Sequence, residues 1–190
     1  MNNKKEIYLI RHTAPKVEKG ICYGQTDLDL ASSFEDEKNR IISLIPNNFD
    51  IVFSSPLKRC YQLAKSFKTV AFVTLNELLE INFGDWELKT YTELTNNEFN
   101  DWCTDFINKI PPNGESYKEM FERVKAGWEI ILNSKYQNIA IVTHSGVIRI
   151  IFALILEIDL KYSFRIEQKY GAVNKINVDG EIISIEYTNR

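Results

Sequence analysis

The sequence predicts a three-layer α/β/α domain with a mainly parallel central sheet and an antiparallel strand near one edge. Three observations carry that prediction. Short apolar runs rich in β-branched residues, Ile7–Ile10 and Ile139–Val142, read as strands buried on both faces. They alternate along the chain with helical patterns, as βαβ units do. Near the end, Asp179-Gly180 between Ala172–Val178 and Ile182–Tyr187 reads as a tight hairpin, which demands an antiparallel strand.

The elements follow in order. A strand is expected at Glu6–Ile10, then a loop through Gly20, Gly24 and Asp27. Ser32-Ser33-Phe34-Glu35 has the form of a capping box. The helix after it would line one face with Phe34, Ile41, Ile42 and Ile45 and stop at Pro46. Asp50–Ser54 is a second strand, and Pro56 suits the first turn of a helix carrying Arg59, Leu63 and Phe67. Ala71–Leu75 is a third strand, and Pro111-Pro112-Asn113-Gly114 a loop. Ser116 with Glu119 forms a second capping box. Tyr117, Phe121, Val124, Trp128 and Ile131 then recur at alternating four- and three-residue spacing, a core-facing helix. A strand at Asn138–Thr143 leads into a helix from about Ser145 to Leu156.

Size and composition bound the function. At 190 residues, without repeats or a long linker, the chain is expected to be one domain over 1–190. A net charge of −3 and a pI of about 5.5 lack the basic stripe of a nucleic-acid binder. The longest apolar run, Ile150 to Leu156, is far short of a bilayer span, so no membrane partner is expected. The charged start, Met1 to Glu6, precedes too few apolar residues for a signal peptide. Cys22, Cys60 and Cys103 have no Cys-x-x-Cys spacing, so neither a disulfide framework nor a zinc site is indicated. A cytoplasmic enzyme without cofactor or metal is the expectation; oligomeric state is not legible.

The chain holds only two histidines, and each follows a predicted strand. Ile7–Ile10 runs into Arg11-His12, and Ile139–Val142 runs through Thr143 into His144-Ser145-Gly146. Ligands in open α/β sheets bind beyond the carboxyl ends of the strands. Two imidazoles there, with an arginine beside one, suggest a phosphate site with a histidine nucleophile. Arg59, in Ser55-Pro56-Leu57-Lys58-Arg59, lies in the first turn of a helix after the second strand, where anions are already favoured; Lys58 reads as solvated. Glu80, between Leu79 and Ile81 and before Asn82-Phe83-Gly84-Asp85-Trp86-Glu87, reads as a carboxyl partly withdrawn from water, which suits a general acid. Asp85 and Glu87 are its neighbouring competitors.

Taken together and in this order, these segments resemble the histidine phosphatase superfamily, the phosphoglycerate-mutase-like fold. Arg11-His12 matches its Arg-His signature and Ser55-Pro56-Leu57-x-Arg59 its second arginine motif. Glu80-x-x-Phe83-Gly84 matches the acid segment, and Thr143-His144-Ser145-Gly146 the second histidine. The resemblance implies His12 as phosphate acceptor, Arg11, Arg59 and His144 as holders of the phosphoryl oxygens, and Glu80 as proton donor. Tyr23, Gly24, Ser145 and Gly146 are implied substrate contacts. Family members carry glycine, commonly followed by Glu, after Arg-His; Thr13-Ala14-Pro15 stand here, so no acid role carries to position 14.

The loop Gly20 to Leu30 and the Asn82–Glu87 segment look most similar to those of the alpha-ribazole phosphatases in that superfamily. That implies removal of the 5′-phosphate from a benzimidazole riboside during cobalamin nucleotide-loop assembly. Tyr23, Phe83, Trp86 or Trp102 could stack on such a leaving group, with Trp102 favoured as plain core. A phosphatase for sugar phosphates or other small phosphomonoesters is the alternative. The segment from Glu87 to Ser116 is short for a mutase insertion. A non-catalytic phospholigand-binding protein on the same fold would not need His12, Arg59, Glu80 and His144 together.

Overall fold

A computed structural model describes residues 4–94 and 97–190; Met1–Asn3, part of the charged start discussed above, lie outside them. In chain order the elements are β1 (Lys4–Arg11), α1 (Phe34–Ser43), β2 (Phe49–Ser54), α2 (Lys58–Lys65) and β3 (Thr69–Thr74), then α3 (Asn97–Thr104), α4 (Tyr117–Leu132), β4 (Asn138–Thr143), α5 (Ser145–Leu156), β5 (Val173–Asp179) and β6 (Ile182–Tyr187).

Six strands form one sheet in the order β3-β2-β4-β1-β5-β6. β3, β2, β4 and β1 are mutually parallel, whereas β5 pairs antiparallel to β1 and β6 antiparallel to β5. The hairpin thus closes one side of the sheet as expected, with Gly180 at φ +64° in its turn.

Strand alternation splits the core into two apolar layers. Ile7, Leu9, Ile139 and Ile141 face α4 and α5, packing with Tyr117, Met120, Val124, Trp128, Val147 and Ile151. Their neighbours Tyr8, Ile10, Ala140 and Val142 face the other way, onto Ile41, Cys60, Leu63 and Ala64 of α1 and α2. Both faces of the central strands are buried, which is why they read as continuous apolar runs rather than alternating ones.

Several local expectations change in detail. The box at Ser116 forms in full: its hydroxyl accepts from Glu119 N, and the Glu119 carboxylate accepts from Ser116 N. The one expected at Ser32 and Glu35 does not. Ser33 caps α1 without accepting a side-chain bond, and its hydroxyl instead donates to Glu37 at 2.6 Å. Glu37 also accepts from Ala14 N at 2.9 Å, fastening the loop after β1 to α1, while the Glu35 carboxylate pairs with Lys38. Ile42 is 40% exposed, because α1 is short and turns only Ile41 fully inward. α2 begins at Lys58 behind an extended Leu57, two residues after Pro56, and Phe67 packs against the core from beyond its end.

Candidate active site

Parallel pairing of β1 with β4 sets Arg11 opposite Thr143, so the residues that follow, His12 and His144, leave the sheet side by side. His12 N donates to Thr143 O at 2.9 Å, and the two imidazole centroids lie 5.0 Å apart. β2 ends alongside β4, and Ser55 N donates to Val142 O. Three adjacent strand ends therefore build one floor. Over it opens a cavity of about 550 Å³ lined by, among others, Arg11, His12, Tyr23, Arg59, Glu80 and Tyr170.

His12 is buried and oriented by its own chain. Its Nδ1–H donates to the Thr13 carbonyl at 2.6 Å, which leaves the lone pair on Nε2. Arg59 Nε approaches that atom at 3.3 Å as a donor, consistent with the same tautomer. Burial first, then the Arg59 and Arg11 cations, hold this histidine well below its ordinary value of 6.5. A neutral imidazole with Nε2 free of a proton is the form that can attack phosphorus. Thr13, standing where the resemblance expects glycine, is wholly buried, and its Oγ1 has no hydrogen-bond partner. The substitution leaves the carbonyl that orients His12 in place.

Arg59 is fully buried with no carboxylate within 4.0 Å among the described residues. Its Nη1 donates to Thr26 O at 2.9 Å and its Nη2 to Gly24 O at 2.6 Å. Arg11 donates through Nη1 to Gln168 O at 2.6 Å, while its Nε is buried without a partner. An aromatic ring backs each guanidinium: Tyr170 lies 3.9 Å from Arg11 Cζ and Tyr23 5.5 Å from Arg59 Cζ. The two phenols hydrogen-bond to each other across the site.

His144 is wholly buried, and it does not line the open cavity. Its Nε2 lies 2.8 Å from Ser55 Oγ and 3.4 Å from Cys60 Sγ. Burial, then Arg59 and His12, hold it well below 6.5 as well. It therefore stands beside His12 in the floor of the site, the two rings 5.0 Å apart.

The acid segment settles which carboxyl faces the cavity. Asp85 is exposed and accepts from Asn113 Nδ2. Glu87 accepts from Gln25 N, Phe83 N and Thr26 N, and from the Thr26 hydroxyl, so its oxygens are spent fastening two loops together. Of these three acids, Glu80 alone lines the cavity. Its carboxylate accepts from Ile81 N at 3.0 Å, Gly146 N at 3.1 Å and Ser145 Oγ at 3.4 Å, sitting at the N-terminus of α5.

Three sequence expectations are corrected by this arrangement. Gly24 does not line the cavity; a Cβ there would stand 1.8 Å from Ile81 O, so only glycine lets the two loops cross, while its carbonyl holds Arg59. Ser145 and Gly146 do line it, yet their donors go to Glu80, and a Cβ at Gly146 would stand 2.3 Å from Glu80 Oε1. These residues position machinery rather than present free donors. Trp102, favoured as core, is only half-buried and forms part of the cavity wall, whereas Trp86 packs behind it.

Tyr91, Arg149, Phe164 and Tyr170, which had no earlier assignment, also line the cavity, as does Tyr117, expected only as core. Arg149 had a readable signal, being the one charged residue in the apolar α5. Tyr170 had none, since it reaches the site only because β5 folds back beside β1. Among the described residues, no group of three or more His, Cys, Asp or Glu side chains could hold a metal ion.

The family model of the histidine phosphatase superfamily (branch 1) matches residues 7–190. The chain belongs to the histidine phosphatase superfamily. It is a phosphatase, and its sheet and flanking helices are the phosphoglycerate-mutase-like fold of that superfamily. An adenosylcobalamin/alpha-ribazole phosphatase of Salmonella typhimurium is 30% identical over 173 residues, covering 85% of this chain and 86% of the relative. A Hydrogenobacter thermophilus protein named for phosphoserine phosphatase activity is 29% identical over 194 residues, covering 98% of this chain and 96% of its own. The crystal structure of the alpha-ribazole phosphatase from Shigella flexneri superposes with a TM-score of 0.88 at 24% identity, covering 97% and 96% of the two chains. No helix among the described residues is long and apolar enough to cross a membrane.

Proposed function

We propose that residues 1–190 act as one metal-independent phosphomonoesterase domain that works through a phosphohistidine on His12. His12 Nε2 attacks phosphorus in line as the P–O bond to the leaving group breaks. Arg11, Arg59 and His144 take the charge that gathers on the three equatorial oxygens. The protonated Glu80 carboxyl gives its proton to the departing alkoxide. As a carboxylate it then takes one from water, which attacks the phosphohistidine and releases phosphate and free His12. Geometry supports these roles: His12 Nε2 carries the lone pair, Arg59 is buried and Arg11 half-buried at the cavity, and Glu80 is the acid of its segment that faces it.

The substrate we propose is alpha-ribazole 5′-phosphate, cleaved to alpha-ribazole and phosphate in assembly of the cobalamin nucleotide loop. One observation carries this choice. Beyond the phosphate end, the cavity is walled by Phe83, Tyr91, Trp102, Tyr117 and Phe164, and its volume of about 550 Å³ exceeds what a three-carbon ester fills. Flat faces of that kind suit a heteroaromatic leaving group. The Salmonella relative's name points the same way. Three free cysteines, two of them buried, fit work in the reducing cytoplasm. The test is turnover of alpha-ribazole 5′-phosphate against phosphoserine and a panel of sugar phosphates. A kcat/KM for the riboside at least tenfold above the others is expected; a preference for phosphoserine or a sugar phosphate overturns the assignment.

A further inference from the structure

Arg149 is a cation that the chemistry above does not use. It is the single charged side chain in α5, a helix otherwise built from Ser, Gly and apolar residues and packed into the core. It lies four residues after Ser145 and so shares the face of α5 that meets the cavity. Its Nε donates to Ile166 O at 3.1 Å, and its guanidinium carbon stands 5.0 Å from the centroid of Phe164. No carboxylate lies within 4.0 Å of it among the described residues, and no protein acceptor takes its Nη1 or Nη2. Burial lowers its pKa, the mark of a charge held where water is scarce. Its two terminal nitrogens therefore stand at an aromatic wall with no protein acceptor, available to a ligand in the cavity.

We infer that Arg149 is a specificity-determining residue that donates hydrogen bonds to an uncharged oxygen or nitrogen acceptor on the leaving group. This rests on the substrate class proposed above. Arg11 and Arg59 already serve the phosphoryl end, and they stand with His12 at the strand-end floor. Arg149 belongs to the aromatic end, with Phe164 beside it and Tyr117 nearby. A ring or sugar lying against that wall would bring a ring nitrogen or hydroxyl to the idle N–H groups. A carboxylate in the same place would set a second negative group in the cavity that Glu80 lines and where Glu80 must pass a proton. The neutral acceptor is therefore the better match.

The experiment compares wild type, Arg149→Met and Arg149→Lys on three esters. These are alpha-ribazole 5′-phosphate, phosphoserine and phenyl phosphate, whose leaving group is flat but has no acceptor beyond the bridging oxygen. The methionine keeps contact with Phe164 while removing every donor. Its kcat/KM loss on the riboside should exceed its loss on phenyl phosphate by about 10- to 100-fold, the effect of one charged hydrogen bond. That excess should sit mainly in KM, and the lysine should restore part of it. Equal losses on the riboside and phenyl phosphate overturn the inference, since Arg149 would then act only through the general field of the cleft. So does a loss confined to phosphoserine, which would mark a carboxylate receptor. A wild-type enzyme that turns over the riboside no faster than phenyl phosphate counts against the proposed substrate, while the ratio of losses still judges Arg149.

Discussion

Replacing Arg59 with methionine should raise the pKa of His12 and move the acid limb of the pH–rate profile with it. Arg59 Nε stands 3.3 Å from His12 Nε2, and both residues are buried. Two unit charges roughly 4 Å apart at an effective dielectric near 20 repel by about 4 kcal/mol, so removing one of them favours the protonated imidazole. Burial, the larger cause of the depression, persists in the variant, and so does Arg11. The guanidinium charge is also spread over three nitrogens, so the upward shift is smaller than that full repulsion. The loop at Gly24–Thr26 loses two carbonyl partners, but Glu87 still holds it through Gln25 N and Thr26 N. Because the chain has just two histidines, imidazole signals can be followed individually by NMR, with a His144→Asn variant for assignment. The profile of kcat/KM with p-nitrophenyl phosphate supplies the second readout, and kcat should fall by about 10²–10³ from lost charge stabilisation. Arg59→Lys should keep most of the pKa depression while losing the fork that grips Gly24 and Thr26. A His12 titration that does not move in Arg59→Met would refute the electrostatic reasoning.

Four further outcomes follow from the same site. His12→Ala should lose at least about a thousandfold in turnover, and acid-labile, base-stable phosphate should be trapped on wild type only; label on a serine or aspartate would reject the mechanism. Glu80→Gln should slow an alkyl phosphate by about 10²–10⁴ and p-nitrophenyl phosphate far less, because a good leaving group departs without a proton; equal losses would remove Glu80 from that role. Both histidines are held well below 6.5, so as pH falls from about 6.5 the unfolded chain takes up protons that the folded chain refuses. Stability should therefore be lost toward acid by about 1.4 kcal/mol per pH unit for each histidine, and urea titrations of wild type and a His12→Asn, His144→Asn variant should differ in that slope. Hydrolysis should persist in excess EDTA, since the Arg11 and Arg59 guanidinium groups supply the charge that magnesium supplies elsewhere; loss in EDTA with recovery on adding a divalent ion would count against this.

What could be read along the chain was whatever depends on neighbours in sequence. β4 and α5 fall where their patterns place them, at Asn138–Thr143 and Ser145–Leu156, because apolar runs bounded by Thr143-His144-Ser145 leave little choice of ends. The capping box at Ser116 formed because nothing else competed for Glu119, whereas the one at Ser32 failed because α1 takes Ser33 as its cap and the Glu35 carboxylate pairs with Lys38. His12, Arg59 and His144 could be linked in advance because each follows a parallel strand, and parallel strands deliver their carboxyl ends to one rim.

Sequence by itself therefore determined the layers, the strand ends and the residues able to handle a phosphate, since periodicity and strand polarity are properties of a segment. Only the tertiary structure decided how those residues divide the work. It spent Glu87 on backbone amides and left Glu80 facing the cavity. It turned Gly24, Ser145 and Gly146 from presumptive ligands into supports for Arg59 and Glu80. It also brought Tyr170 over Arg11 and Arg149 to the aromatic wall, from segments far along the chain. Hydrogen-bond donors and acceptors are each used by whichever partner the packed chain brings within about 3 Å, and that competition is settled in space, not along the sequence.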